Sequence, residues 1–209
     1  MPKKEVPLRQ LDNYLPPGTL EPVMAYLEKY HVHLTITPAR KSVLGDYRHR
    51  TGTDNHRISV NGNLNAWAFL VTLLHELAHL LTFERFSNHV SPHGKEWKLI
   101  YGQLLETFLR QHIFPSDVEA ELQTMLRNPA AGSCAEDGLV RVLRKYNKKE
   151  TELFLVEELA NESLFKLRDG REFIKGEKLR KRYKCREVST GKWYLFSPVY
   201  EVWPVEKTG

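Results

Sequence analysis

The chain is poor in cysteine and has no long uncharged apolar run. Its 209 residues include two cysteines, Cys134 and Cys185, and neither has a second cysteine close in sequence. Two isolated thiols make neither a disulfide framework nor a four-ligand structural zinc site, so we expect no second zinc and a reducing compartment, the cytoplasm. The apolar stretch 64–74 is shorter than a membrane span, and residues 1–5 lack the apolar core of a secretory signal. These features predict a soluble protein with no membrane partner.

The sequence His75-Glu76-Leu77-Ala78-His79 lies inside the apolar stretch 66–83. Residues four apart on an α-helix lie on the same face, so the two histidines can bind one cation. Glu76 lies roughly 60–100° away around the helix axis, which is too far for an easy third ligand but close enough to reach a water at an open coordination position. This H-E-x-x-H arrangement is typical of a zinc hydrolase with two ligands and a general base. The alternative is that both histidines are hydrogen-bonded residues of a buried core.

A third ligand is needed, and the best candidate is His93, with 13 residues between it and His79. Ser91 and Pro92 predict the start of a helix, whose first turn would carry His93 back towards the motif. Apolar residues at helical spacing extend this second helix to residue 108. The other candidates are His89, Glu96 and, with a more awkward reach, Glu84.

The motif and the segment His93-Gly94-Lys95-Glu96-Trp97 together resemble the SprT-like metalloprotease domain. Upstream, segments 44–47 and 58–61 resemble the glycine turn of that family and the strand that precedes its active-site helix. The resemblance covers roughly residues 15–115. It implies an α+β, zincin-like fold in which the active-site helix packs against a small sheet and further helices.

The same resemblance implies roles for individual residues. His75, His79 and His93 would be the ligands of Zn²⁺, and Glu76 would be the catalytic glutamate. The family includes Spartan-type proteases, which degrade proteins crosslinked to DNA, so the implied partners are a protein substrate and DNA. The chain differs from many bacterial SprT proteins because it lacks the paired cysteines of their C-terminal zinc ribbon.

Proline, glycine and small residues in segment 128–133 predict a domain boundary, with the SprT-like metalloprotease domain at 1–130 and a basic β-rich module at 131–209. Before the boundary, helices are predicted at 20–30, 66–83, 91–108 and 116–127, and strands at 31–37 and 58–60. After the boundary, a short helix is predicted at 138–146, and strands are predicted at 153–156, 164–167, 172–174, 178–187, 193–196 and 200–205. These short, closely spaced strands predict a small antiparallel barrel or curled sheet, of SH3-like or OB-like size.

The predicted strand 179–186 has cations on one face: Arg180, Arg182, Lys184 and Arg186. Cations about 6.6 Å apart roughly match the phosphate repeat of a nucleic-acid strand. Aromatic residues nearby offer stacking surfaces for bases, namely Tyr183, Trp193 and Tyr194. The alternative is a solvated edge strand that its charges protect from pairing.

The resulting hypothesis is a zinc-dependent peptidase that acts on proteins bound or crosslinked to DNA. Two other functions remain open: a nucleic-acid-binding adaptor whose metal fold has no catalytic role, and a peptidase unrelated to DNA. Metal content, protease activity and salt-sensitive DNA binding distinguish the three.

Overall fold

The computed structural model describes residues 8–40, 43–126, 136–147 and 152–205. It divides into two compact units, Met1–Asn147 and Lys148–Gly209. The described residues form five α-helices and nine strands, which are arranged in two sheets. The predicted α+β class is therefore confirmed.

The first unit contains a three-stranded sheet, made of β1 (Val32–Thr37), β2 (Gly45–Arg48) and β3 (His56–Asn61). The strand order is β1-β3-β2, with β1 parallel and β2 antiparallel to β3. Alternate residues of β3 are buried, namely His56, Ile58 and Val60. This period of two turns one face of the sheet towards the helices. The strand order leaves β1 and β2 at the two edges.

Helix α2 (Ala66–Phe86) is the core of the first unit. It is apolar nearly all round and most of its residues are buried, as expected for a helix that is covered on every side. Its length and composition would allow it to cross a membrane, but its burial is that of a core helix. The surrounding elements are α1 (Leu20–Lys29), α3 (Lys95–Leu109), α4 (Ser116–Met125), α5 (Asp137–Arg144) and a short 3₁₀ helix at Leu8–Tyr14.

Helix α5 belongs to the first unit, so the division falls at residue 147 rather than at the predicted residue 130. Leu139 and Leu143 are buried in the core of this unit. The amide of Asn65, at the start of α2, donates to the carbonyl oxygen of Leu143 at 2.8 Å and to Oδ1 of Asn147 at 2.7 Å. The predicted boundary was based on the turn-forming residues of segment 128–133, whereas the observed boundary is determined by these long-range contacts of α5. The predicted linker, 128–133, and Cys134 lie outside the described residues.

The second unit is an antiparallel sheet of six described strands in the order β4-β9-β5-β6-β7-β8. The strands are β4 (Phe154–Leu155), β5 (Leu164–Lys166), β6 (Glu172–Leu179), β7 (Arg182–Glu187), β8 (Trp193–Phe196) and β9 (Glu201–Val205). Its core includes Phe165, Phe173, Phe196 and the thiol of Cys185. Cys185, in β7, is completely buried.

The predicted strand 178–187 is wrong as a single element, because a tight hairpin divides it. Leu179, the last residue of β6, pairs with Arg182, the first residue of β7. Arg180 lies in the connecting turn with φ 51°, a left-handed conformation that usually selects glycine or asparagine. With an arginine at that position, the sequence lacks the usual signal for a turn.

We expect Asn65→Ala to destabilise the first unit by about 1–2 kcal/mol. Oδ1 of Asn65 accepts from the amide of Ala68 at 2.9 Å and so caps α2, and its amide group also holds the C-terminal end of α5. Denaturant unfolding would measure the change, with the exposed Asn63→Ala as the matched control. Equal stability of the two variants would contradict this role.

Candidate metal centre

Three imidazole rings converge in a cleft of the first unit. Nε2 of His75 lies 3.3 Å from Nε2 of His79 and 3.3 Å from Nε2 of His93. All three ligand atoms lie within 4.8 Å of one another. Metal–nitrogen bonds of about 2.0–2.1 Å at tetrahedral angles would separate two nitrogens by about 3.3 Å. The three histidines therefore fit a single metal ion.

His93 reaches this cluster from a turn rather than from a helix. The amide of Gly94 donates to the carbonyl oxygen of Ser91 at 2.9 Å, Pro92 is the second residue of the turn, and His93 is the third with φ 60°. This is the pattern of a type II turn, in which the third residue is usually glycine. Helix α3 begins only at Lys95, so the predicted helix start at Ser91 is wrong. A left-handed histidine costs roughly 1–2 kcal/mol, and such strain is common at functional sites.

Trp97, on the first turn of α3, packs against all three rings. Its ring centroid lies 4.7 Å from that of His75, 5.3 Å from that of His79 and 4.7 Å from that of His93. His75 is also packed edge-on against Tyr101 at 5.5 Å. Nδ1 of His75 is buried without a hydrogen-bond partner among the described residues. A histidine that binds a metal is often oriented by a hydrogen bond from its second ring nitrogen, but this imidazole is oriented by packing against the neighbouring rings.

Glu76 lies against the start of β2. A Cβ atom added to Gly45 would overlap the carboxylate of Glu76 and would come within 2.8 Å of Cγ2 of Thr72. The glutamate is 4% exposed, and both it and Gly45 line the cleft. The resemblance predicted a glycine turn here, but Gly45 is the first residue of a strand and its φ is not positive. Glycine is needed at this position because the backbone passes close to the carboxylate of Glu76.

Arg40 holds the segment that leads into this strand. Its Nε donates to Oδ1 of Asn61 at 2.8 Å, and its Nη2 donates to the carbonyl oxygen of Leu44 at 3.3 Å. The buried Asn61 in turn donates to the carbonyl oxygen of Val43 at 2.9 Å. These bonds fix the backbone just before Gly45 and so support its position against Glu76. The cleft that these residues border has a volume of about 630 Å³.

The alternative ligands lie elsewhere. Oε1 of Glu84 is 3.2 Å from Nε2 of His56 and 3.2 Å from Nη2 of Arg50. Glu96 faces the ammonium of Lys95 at 3.8 Å. His89 is exposed in the connection after α2. Among the described residues, the one cluster that could hold a metal consists of His75, His79 and His93.

Burial keeps the cluster uncharged and available to a cation. Burial, followed by the neighbouring rings of His79 and His93, lowers the pKa of His75 to about 3. Burial and then His93 lower the pKa of His79 to about 4, and burial lowers the pKa of His93. Neutral imidazole is the form that binds metal, so protons compete weakly for this site near neutral pH.

In the second unit, three of the four predicted cations share the outer face of the sheet. Arg182 and Arg186 are exposed, and Nζ of Lys184 lies 4.5 Å from the ring centroid of Trp193. Trp193 itself is 56% exposed. Arg180 is separated from the other three by its position in the hairpin turn.

Of the predicted stacking residues, Trp193 alone lies beside these cations. Its strand register places it opposite Arg186, with Leu195 opposite Lys184. Tyr194 points the other way, where its ring packs edge-on against the buried Phe173 at 5.4 Å. Tyr183 packs partly against the core of this unit.

Sequence reasoning missed the positions that orient the cluster. Trp97 and Gly45 were noted only as parts of a resemblance, and the pair formed by Tyr47 and His56 was not expected. These contacts join residues that are far apart in sequence, so no local periodicity could reveal them. An apolar tryptophan one turn after a candidate ligand is the signal that could have indicated the ring packing.

The first unit is similar to known proteins. The model of the SprT-like family matches residues 22–123. Similar proteins include protein SprT of Escherichia coli O157:H7, with 37% identity over 86 residues, which are 40% of this chain and 48% of the relative. Protein SprT of Shigella boydii serotype 18 is 36% identical over 102 residues, which are 46% of this chain and 56% of the relative. The chain therefore spans about half the length of the curated relatives it matches. No solved structure gives a significant match.

We expect the metal-free protein to lose stability as the pH falls from about 6.5 towards about 3. Unfolded histidines take up protons near the ordinary pKa of 6.5, whereas His75 and His79 in the fold do so only near pH 3 to 4. Acid therefore favours the unfolded chain, by up to about 1.4 kcal/mol per pH unit for each histidine.

Urea unfolding at a series of pH values would measure this dependence. Carboxylates also titrate in this window, so the matched control is the His75→Gln, His79→Gln double variant, which should give a shallower slope. Identical slopes would show that these two rings do not control acid stability.

Proposed function

Because residues 22–123 belong to the SprT-like family, we propose that the first unit is a zinc-dependent peptidase. Its ligands are His75, His79 and His93, and its catalytic residue is Glu76. The observation that carries the proposal is the convergence of three imidazoles: Nε2 of His75 lies 3.3 Å from Nε2 of both other histidines, a separation that suits a tetrahedral ion, and all three ligand atoms lie within 4.8 Å of one another. Three protein ligands leave one coordination position open, which is the arrangement of catalytic rather than structural zinc sites.

Zinc in such a site lowers the pKa of water and polarises a carbonyl group. Glu76 follows His75 on α2 and lies at the wall of the cleft. It takes the proton from the water that attacks the scissile carbonyl and then donates that proton to the leaving amine nitrogen. Gly45 and the Arg40 network keep the carboxylate in place between these two steps. The two isolated cysteines agree with a reducing compartment, and we place the reaction in the cytoplasm.

Replacement of Glu76 by glutamine should lower peptidase activity by at least about 100-fold. The amide keeps the shape of the acid but cannot accept the proton of the water, so zinc content should stay near one equivalent. Cleavage of an unstructured protein and elemental analysis would be measured together. The exposed Glu106→Gln on α3 is the matched control and should retain full activity. Unchanged cleavage by the Glu76→Gln variant would rule out this mechanism.

We further propose that the outer sheet face of the second unit binds nucleic acid, so that the peptidase acts on DNA-bound or crosslinked proteins. The support is the grouping of Arg182, Lys184 and Arg186 beside the exposed indole of Trp193. Cations compensate phosphates, and an exposed aromatic ring gives a base a surface on which to stack. Arg180, in the adjacent turn, adds a fourth positive charge.

Charge reversal on this face should weaken DNA binding and reduce its dependence on salt. We expect Arg182→Glu with Arg186→Glu to raise the dissociation constant for single-stranded DNA by at least about tenfold at low salt. Lys29→Glu with Arg110→Glu, two exposed cations of the first unit, gives the same change in net charge without altering the sheet face and serves as the control. If the wild-type chain has no affinity for single-stranded or duplex DNA at low salt, the DNA proposal is wrong and a peptidase unrelated to DNA remains.

Measurements of zinc content, DNA binding and protein cleavage on the wild-type chain distinguish the non-catalytic adaptor from the peptidase. A chain that binds zinc and DNA but cleaves neither free nor DNA-bound protein would favour the adaptor. Cleavage that increases when DNA is added would favour the peptidase.

A further inference from the structure

Alternate residues of the edge strand β2 and of the loop after it lie over successive turns of α2. Gly45 lies against Glu76, and the Tyr47 ring is parallel to that of His79, with 3° between the planes and 6.4 Å between the centroids. Two residues further on, the His49 ring stacks on Phe83 with centroids 4.5 Å apart. Two residues of a strand advance about 6.6 Å and one helical turn advances about 5.4 Å. The two repeats are similar enough for three alternate strand residues to lie over three successive turns of the helix. The strand therefore contacts the helix at the general base, at a metal ligand and beyond.

A chain of polar contacts holds the middle residue of this series. The hydroxyl oxygen of Tyr47 lies 2.9 Å from Nδ1 of His56, a β3 residue that is 1% exposed. On the other side of the His56 ring, Nε2 lies 3.2 Å from Oε1 of Glu84. Arg50, in the loop after β2, contacts the same carboxylate oxygen at 3.2 Å. The contacts thus return to α2, five residues after His79.

Only one side of the His56 ring takes part in a hydrogen bond. Its Nδ1 shares a hydrogen bond with the hydroxyl group of Tyr47. Nε2 makes no hydrogen bond to the described residues, so its approach to Glu84 is an electrostatic contact. Burial lowers the pKa of His56, and Glu84 opposes part of this effect. The bond to the buried His56 therefore fixes the hydroxyl end of the phenol ring, while Glu84 and Arg50 lie on the far side of the imidazole.

We propose that Tyr47 is a positioning residue for the metal ligand His79, and that His56 and Glu84 hold Tyr47 in place. The inference depends on the proposed metal site. The fixed phenol ring lies parallel to the imidazole and limits its rotation, while Trp97 limits it from α3. A ligand that is already oriented loses less conformational freedom on binding, so the metal binds more tightly. None of the three residues needs to touch the metal or the substrate.

The test is the metal affinity of the full-length protein, measured by competition with a chromophoric chelator for zinc. Outer residues that orient a ligand typically contribute about 10–100-fold to metal affinity. We expect Tyr47→Ala to raise the dissociation constant for zinc by about this factor. Tyr47→Phe keeps the ring but removes its bond to His56, and it should raise the dissociation constant by a smaller factor. The visible absorption spectrum of the cobalt-substituted variants should change in the same order.

Tyr30→Ala is the matched control, because Tyr30 is a partly buried tyrosine of the same unit that packs at the end of α1. It should lower the stability of the metal-free protein without changing zinc affinity or the cobalt spectrum. A wild-type dissociation constant in the Tyr47→Ala variant would overturn the inference and leave the proposed function intact. A similar loss of affinity in the Tyr30→Ala variant would also overturn it, since general destabilisation would then be sufficient. A wild-type chain that binds no metal would overturn the proposed function itself.

Discussion

The first unit is organised by the need to bring three imidazole nitrogens within a few ångströms of one another. Two of the rings come from a helix that is buried on nearly every side, so their orientation is controlled by packing. The third comes from a strained turn that only a constrained neighbourhood would hold in place. Trp97 touches every ring and so determines how closely α3 can approach α2. The three histidines that we propose as metal ligands therefore depend on this contact between the two helices.

Much of this site follows from sequence because its central part is local. The four-residue spacing of His75 and His79 places them on one helical face whatever else the fold does. Asn65 begins that helix, and its side chain caps it by accepting from the amide of Ala68. His93 was the favoured third ligand, and it joins the cluster. Its backbone was misread because proline often starts a helix, whereas here it is the second residue of a tight turn.

The remaining features depend on contacts between distant residues, which a linear pattern does not contain. Tyr47 meets His56 across two strands, and Glu84 completes the chain from the far end of α2. Helix α5 was assigned to the wrong unit because the linker before it carries strong turn signals. In the second unit the strands were largely predictable, except where Arg180 occupies a turn position without the usual residue type. The alternation that predicted four aligned cations therefore applies to three.

The close approach of Gly45 to Glu76 determines how the cleft wall can change over evolution. Asp46 and Arg48, on the opposite face of the same strand, have side chains that are 42% and 73% exposed and that pair with each other, so either can be replaced without moving the acid. At position 45, even a methyl group would enter volume that the carboxylate already fills. The strand therefore combines positions of wide substitution tolerance with one that admits a single residue type. Changes in what the cleft accepts are therefore expected at Asp46, which also borders it, while the spacing between the strand backbone and the acid stays constant.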